Sequence, residues 1–136
     1  IHVHGQGNLL YADNNDNEPV LSDQDWGRDK GMGYSRSEAP KWFDWVPVRI
    51  RAMVLAGDKL FIAGPPDIID PEDPTAAFEG RKGCHLWSYD IKDGKPMEKY
   101  FLDKPSVFDG MIAVKNRILI SSTDGSLICL KGNDGS

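Results

Sequence analysis

The chain of 136 residues has no long apolar run, no basic stripe, and little cysteine or histidine. No apolar stretch approaches the roughly 20 residues that a membrane-spanning helix needs. The longest stretches, Ile118–Ile120 and Leu127–Leu130, have the length of strands. The 16 Lys and Arg are scattered among 21 Asp and Glu, which gives a net charge of −5. Because phosphate binding needs clustered positive charge, we expect no nucleic-acid partner. Because the apolar runs are too short, we expect no transmembrane segment.

Signatures of the common enzyme classes are also missing. The three His are scattered, there is no Gly-x-Ser-x-Gly elbow, and the Ser residues lie in turn-like segments. Gly5-Gln6-Gly7 lacks the later glycine and the following helix of a phosphate-binding loop. We therefore predict no catalytic residue in this segment. A glycosidase built on two carboxylates stays open, because spacing alone cannot reveal one.

Two cysteines, Cys84 and Cys129, do not decide the redox compartment. They can form one internal disulfide at most, and their spacing matches no zinc pattern. Two buried free thiols are the preferred interpretation, with the disulfide as the alternative. The chain opens at Ile1 without an initiating Met, which we expect of a processed precursor or of a fragment.

The strongest positive signal is an internal repeat. Residues 51–64 align without a gap with residues 109–122 at a shift of 58, so that Met53 matches Met111. Each copy is typical of a strand, a two-residue polar turn and a second strand. The β-branched and aliphatic residues beside the turn favour strands over helices.

A second unit follows each of these hairpins. Residues 83–94 parallel residues 125–135, and residues 7–17 match the latter without a gap at a shift of 118. Residues 93–97 also echo residues 16–20, where the next strand is expected to begin. The complete unit is four antiparallel strands, which is the composition of one β-propeller blade.

The repeat predicts an all-β fold, an incomplete β-propeller of four-stranded antiparallel blades. Two insertions interrupt the regularity, one between the first two blades and one in the middle loop of the complete blade. The predicted organisation is the end of one blade at 1–22, a long connection at 23–47, a complete blade at 48–105 with an acidic loop at 65–82, and the start of the next blade at 106–136.

Residues 86–95 and 124–130 resemble the repeats of quinoprotein-like (PQQ-like) β-propellers, which run roughly Asp-Gly-x-Leu-Tyr-Ala-Leu-Asp-x-x-Thr-Gly-Lys. Residues 49–130 are also similar to propeller repeats of large exported proteins of environmental bacteria. The resemblance implies about two to three blades of a secreted or periplasmic bacterial protein, extracellular or periplasmic in location.

The dehydrogenase members of that family carry a Trp shortly after the Thr-Gly pair and often a vicinal cysteine pair against the quinone. Here Asp93-Gly94 is followed by Pro96, Met97 and Glu98, and no vicinal cysteine pair occurs. We therefore expect no PQQ. The resemblance favours the non-catalytic, scaffold-like members.

Aromatic residues are concentrated in the predicted connection. Trp42 and Trp45, with Trp26 and Tyr34 upstream, are candidates for ligand binding. Exposed rings there could stack on sugar faces or anchor a protein partner. Burial against the neighbouring blade is the commoner fate of large aromatics.

Four carboxylates lie in the proline-stiffened loop of the complete blade: Asp67, Asp70, Glu72 and Asp73. Hard cations such as Ca²⁺ bind several oxygen ligands, so these residues are the candidate metal site. An ordinary solvated loop has the same composition, and the spacing matches no EF-hand.

Two further segments carry partial metal-binding patterns. Asp13–Glu18 begins like a calcium loop, but Glu18 stands where glycine belongs, and its match to residues 133–135 favours a blade turn. His2 and His4 alternate along a presumed strand and would face one side, where two imidazoles can bind a transition metal. Paired surface histidines are the preferred interpretation.

Terminal blades without a neighbour should expose apolar surface. Such a face is predicted to hold Val107, Met111, Ile112, Leu119 and Leu127. The remaining blades of the same protein, or another chain, are the predicted partners, with a glycan as a further candidate. Two hypotheses follow: a non-catalytic binding or scaffold module, or part of an extracellular enzyme acting on polysaccharide or in redox chemistry, with its active site partly outside this segment.

Overall fold

The computed structural model describes residues 7–22 and 33–132, and this part of the chain is all-β without a helix. Its strands pair antiparallel in sheets of two to four strands, which confirms the predicted all-β class. The strands in chain order are β1 (Asn8–Ala12), β2 (Pro19–Ser22), β3 (Gly33–Arg36), β4 (Trp42–Val46), β5 (Ala52–Ala56), β6 (Lys59–Gly64), β7 (Cys84–Asp90), β8 (Pro96–Leu102), β9 (Ser106–Val114), β10 (Arg117–Ser122) and β11 (Leu127–Lys131).

The middle sheet contains β5, β6, β7 and β8, in that order. The predicted hairpin is present: β5 and β6 pair across a tight turn in which Gly57 adopts a φ of 64°. Such a left-handed conformation suits glycine because it has no Cβ. β7 is paired on both sides, with β6 and with β8. This sheet is the four-stranded unit that the repeat predicts.

The carboxy-terminal sheet repeats the first three strands as β9, β10 and β11. The shift of 58 holds in space, because Met111 pairs with Ile120 just as Met53 pairs with Ile62. Lys115 takes a φ of 52° at the position that Gly57 occupies in the middle sheet. The two hairpins therefore share a backbone turn although their turn residues differ.

The middle sheet packs between the carboxy-terminal sheet and the sheet of β1 and β4. One of its faces packs on the carboxy-terminal sheet, and this core includes Ala63, Leu86 and Ile120. Its other face packs on the sheet that contains β1 and β4, through a core that includes Ile62 and Tyr89. Successive side chains of a strand point to opposite faces, which is how Ile62 and Ala63 serve two cores.

The amino-terminal sheet consists of β1 and β4, and it departs from the sequence expectation. The echo between residues 16–20 and 93–97 predicts that the strand after the first turn lies beside β1. In the structure β1 pairs with β4, while β2 pairs with β3. Residues 13–41 therefore extend the connection between two paired strands, and β4 takes the place next to β1 that β8 takes next to β7.

Among the described residues of the predicted long connection, two strands, β3 and β4, are present. The predicted acidic loop at 65–82 has no strand and is held by internal hydrogen bonds, such as that from Arg81 N to Ala76 O at 2.8 Å. Gly80, with a φ of 87°, lies against the ring of Pro105, so this loop contacts the segment that leads into β9. The loop thus covers one end of the stack.

Candidate functional site

The stack leaves two outer sheet faces without a covering sheet among the described residues. We define the carboxy-terminal face by the side chains of the carboxy-terminal sheet that point away from the middle sheet: Ile112, Val114, Leu119, Leu127 and Cys129. We define the amino-terminal face by the corresponding outward side chains of the amino-terminal sheet: Leu9, Tyr11, Phe43 and Trp45. Contiguous apolar surface of this kind is typical of interaction sites.

The carboxy-terminal face is equivalent to a face of the middle sheet that is covered. Leu127 pairs with Ser121 and is 65% exposed, whereas its equivalent Leu86 pairs with Ala63 and is completely buried. Ile112 likewise is equivalent to Val54, which packs against the core between the two sheets. The repeat therefore places apolar residues on this face as if a further sheet were to cover them.

The exposure of the residues predicted to lie on an open face agrees only in part with that prediction. Ile112 and Leu127 are exposed and Leu119 is half-buried, as expected of an uncovered surface. Met111, however, is buried in the core beneath the carboxy-terminal sheet. The alternation of side chains along β9 explains this, because Met111 and Ile112 must point to opposite faces.

The amino-terminal face is aromatic. Leu9 pairs with Trp45 and Tyr11 pairs with Phe43, which sets the four side chains side by side. The Arg36 guanidinium lies 5.1 Å from the centre of the Tyr11 ring and donates a hydrogen bond to its hydroxyl at 3.0 Å. Aromatic rings bordered by a cation can bind sugars, planar groups or proteins.

A polar network holds Arg36 in this position. Its guanidinium forms a salt bridge with the Asp13 carboxylate at 2.7 Å. The side chain of Asn17 donates a further hydrogen bond to Asp13 at 2.9 Å, and this bond is the main reason that the pKa of Asp13 is lowered. An open groove of about 620 Å³ borders these residues along β1. Because Asn17 binds Asp13 and Asp13 binds Arg36, the segment behaves as a structured turn.

The four aromatic candidates lie in different environments. Trp42 is buried, and its indole Nε1 donates a hydrogen bond to the carbonyl of Ile91 at 2.7 Å. Trp45 lies on the amino-terminal face with 47% of its surface exposed. Tyr34 belongs to β3, where it pairs with Leu21. Trp26 lies outside the described residues, so ligand binding by an exposed ring at this site stays a prediction for Trp45.

Three of the four acidic candidates each form an ion pair with a different basic side chain. Asp67 pairs with Arg49 at 2.8 Å, Asp70 with Lys82 at 2.7 Å, and Asp73 with Arg81 at 2.7 Å. Glu72 donates its backbone N–H to the Asp70 carboxylate at 3.0 Å. The hydrogen bond from Lys82 is the main cause of the lowered pKa of Asp70. In residues 7–22 and 33–132 no group of three or more His, Cys, Asp and Glu is arranged to hold a metal ion. Calcium binding here stays a prediction.

The remaining titratable candidates are the two cysteines and the two amino-terminal histidines. Both cysteines are free thiols, with Cys84 buried and Cys129 exposed, so the expectation that both are buried is wrong for Cys129. Burial raises the pKa of the Cys84 thiol, which keeps it protonated near neutral pH. His2 and His4 lie outside the described residues.

Reasoning from the sequence missed two residues of the amino-terminal face, namely Leu9 and Tyr11. The signal that could have found them is the alternation in Asn8–Ala12 and Trp42–Val46, where one residue in two is buried or half-buried. Leu9 and Tyr11 lie beside the aromatic residues of β4 only because β1 pairs with β4. The sequence of a single chain does not reveal which strand pairs with β1.

Comparison with models of protein families, with curated proteins and with solved structures found no match. Within the described part of the chain, no helix is long and apolar enough to span a membrane.

Proposed function

We propose that this chain is a non-catalytic binding and scaffold module, a partial β-propeller of a larger exported bacterial protein, whose outer faces are covered by further sheets. The observation that carries the proposal is the equivalence between the carboxy-terminal face and the covered face of the middle sheet. Leu127 is 65% exposed where Leu86 is completely buried, although the two residues occupy the same position in the repeat. The arrangement is incomplete without a next sheet.

The contact between sheets supports a propeller-type arrangement. The first strands of neighbouring sheets, β5 and β9, lie side by side, and Asp109 donates its backbone N–H to the carbonyl of Arg51 at 2.9 Å. In a propeller the first strand of every blade lines the central axis, so first strands adjoin. The last strand of each sheet then leads into the first strand of the next, as β4 leads into β5 and β8 into β9. Export and bacterial origin rest on the resemblance of the repeats alone.

Self-association of the 136-residue chain tests the proposal. The exposed apolar faces should make the wild-type chain associate in sedimentation velocity, and Ile112→Lys combined with Leu127→Lys should reduce that association by placing charge on the carboxy-terminal face. Ile68→Lys is the matched control, since Ile68 is an exposed apolar residue in the 65–82 loop. A wild-type chain that stays monomeric at all concentrations and binds no hydrophobic dye would contradict the proposal.

A second candidate function is glycan binding by the amino-terminal face, and the exposed rings of Tyr11, Phe43 and Trp45 favour it. Titration with soluble xylan, mannan and cello-oligosaccharides measures it directly. Trp45→Ala should weaken binding of the preferred glycan by up to tenfold, which is the effect of losing one stacking ring worth about 0.5–1.5 kcal/mol. Phe101→Ala removes an exposed ring from β8 and serves as the control. Equal loss in both variants, or no binding by the wild-type chain, would rule this candidate out.

A further inference from the structure

Within residues 7–22 and 33–132, β11 is an outer strand of the carboxy-terminal sheet, because it ends the order β11-β10-β9. Ser122 donates its backbone N–H to the carbonyl of Ser126 at 2.9 Å. Since backbone groups alternate in direction along an antiparallel strand, Ile128 faces β10 in the same way, and the N–H and C=O groups of Leu127 and Cys129 point away from β10. This edge offers a row of backbone donors and acceptors to a further strand.

The equivalent strand of the middle sheet, β7, has such a strand beside it. Leu86, the equivalent of Leu127, pairs with Tyr100 of β8. Ser88, the equivalent of Cys129, accepts a hydrogen bond at its Oγ from the backbone N–H of Glu98 at 3.0 Å. The repeat therefore specifies both the direction and the register of the strand that would lie beside β11.

The turns into the three third strands differ in what surrounds them. Gly7, Gly83 and Gly125 each precede the third strand of their sheet, with φ values of 84°, 73° and 84°. A Cβ on Gly7 would collide with the Val46 carbonyl at the end of β4, and one on Gly83 would lie 2.9 Å from the Leu102 carbonyl at the end of β8. A Cβ on Gly125 would meet nothing within 4 Å. In the pairing register Gly83 corresponds to Asp124 and not to Gly125, so the open space at Gly125 shows only that the turn into β11 is uncovered among the described residues.

A groove lies beside this edge, between β11 and the end of β8. Its volume is about 300 Å³, and Phe101, Leu102, Lys104, Ser126 and Ile128 are among its lining residues. Leu102 and Ile128 also pack against the core between the middle and carboxy-terminal sheets. An apolar side chain in the groove would therefore extend an existing core and would not create an isolated contact.

We propose that the edge of β11 binds one further antiparallel strand of the β8 type, whose backbone pairs with Leu127 and Cys129 and whose apolar side chain, equivalent to Phe101, enters the groove. The partner is an extended segment of the larger protein, as β8 is for β7 within this chain. This inference rests on the proposed function and deepens it, because it assigns the covering of the edge to a single strand and leaves the covering of the face to a separate sheet.

Disulfide trapping on the full 136-residue chain tests the register. The probes are two synthetic peptides with the sequence of residues 95–104, one carrying Glu98→Cys and the other Lys99→Cys. In the proposed register the residue at 98 lies on the same side as Cys129, while the residue at 99 points to the opposite face. In a glutathione redox buffer the first peptide should couple to Cys129 about tenfold more than the second, because pairing raises the effective concentration of its thiol.

Two protein variants test the edge itself. Leu127→Pro removes the backbone N–H that points outward, and Leu127→Ala keeps it. Coupling of the Glu98→Cys peptide should be lost in the first variant and retained in the second. Equal coupling of both peptides, coupling at Cys84 in peptide mapping, or undiminished coupling in Leu127→Pro would overturn the proposal.

Hydrogen exchange on the wild-type chain tests the strand proposal even if Leu127→Pro fails to fold. The unmodified peptide should slow exchange at the amides of Leu127 and Cys129, and unchanged exchange at both would overturn the strand proposal. If Ile112→Lys with Leu127→Lys abolishes self-association while neither peptide protects the edge, the proposed scaffold function stands and only the strand is wrong.

Discussion

The middle and carboxy-terminal sheets share a backbone plan and differ in what surrounds them. Both begin with a hairpin whose turn contains a left-handed residue, Gly57 in one and Lys115 in the other, and both continue through a glycine with positive φ into a third strand. The middle sheet has a neighbour on each face and a fourth strand, β8. Among the described residues, the carboxy-terminal sheet has one covered face and three strands.

This comparison separates what a strand's own sequence determines from what its neighbours determine. Turn geometry, register and the identity of the two faces are the same in both sheets, so they follow from the local pattern. Burial is different, since it depends on whether another sheet is present. An exposed apolar residue such as Leu127 therefore indicates that its face is suited to packing against a further sheet.

The largest expected effect comes from equivalent leucines of the two sheets. Leu86→Ala empties a site between the middle and carboxy-terminal sheets and should lower the free energy of unfolding by about 2–5 kcal/mol. Leu127→Ala removes the same atoms from an open face and should change it by less than about 0.5 kcal/mol. Urea unfolding of both variants measures the difference. Equal losses would mean that the carboxy-terminal face is already covered in solution.

A smaller effect is expected at the glycines before the third strands. Gly125→Ala carries only the strain of a positive φ, about 1–2 kcal/mol. Gly83→Ala carries the same strain and also crowds the Leu102 carbonyl at 2.9 Å and the ring of Phe101. We expect Gly83→Ala to be the more destabilising by at least about 1 kcal/mol, as measured by thermal or urea unfolding.

The hairpins of the middle and carboxy-terminal sheets could be predicted from the sequence because their determinants are local. The polar turn at Asp58 and the apolar residues on either side define strand, turn and strand without reference to the rest of the chain. The alignment of Met53 with Met111 then holds in the pairing register as well. Closure into a propeller is not local, and it stays a prediction.

The partner of β1 could not be predicted, because two segments competed for it. Residues 16–20 repeat the motif that precedes β8, yet β4 lies beside β1. The burial of Trp42 in the core with Tyr89 and its hydrogen bond to Ile91 favour β4, and these are contacts between segments far apart in sequence. A local echo carries no information about such contacts.

The ion pairs of the acidic loop could not be predicted from the sequence for a similar reason. Asp67 and Asp70 look alike in sequence, but one pairs with Arg49 before the hairpin and the other with Lys82 at the end of the loop. The composition of residues 65–74 shows a surplus of carboxylates, whereas the basic partners lie outside that stretch. Charge balance at this loop therefore depends on the fold.

The smallest expected effect concerns the pKa values of two carboxyls. One lies in the long loop of the middle sheet, and the other lies in the short turn that replaces this loop in the carboxy-terminal sheet. The Lys82 hydrogen bond lowers the pKa of Asp70 below its usual 3.8, and the side chain of Ser126 likewise lowers that of Asp124. A carboxyl with a lowered folded pKa stabilises the fold at pH values above 3.8, and that contribution is lost as the pH falls through the folded pKa. Both groups are exposed, so solvent screens their interactions strongly.

Asp70→Asn should therefore lower the melting temperature at pH 7 by no more than about 2 °C, and the difference from wild type should vanish well below pH 3.8. Carboxyl ¹³C titration should give a pKa of Asp70 below 3.8 in the wild-type chain. In Lys82→Met the pKa of Asp70 should rise toward 3.8. Asp124 should keep its lowered pKa in Lys82→Met, because its partner is Ser126 in a different sheet. A shift of both carboxyls together would mean that the loop and the turn respond as one unit, and the contrast between the two sheets would then extend beyond their local contacts.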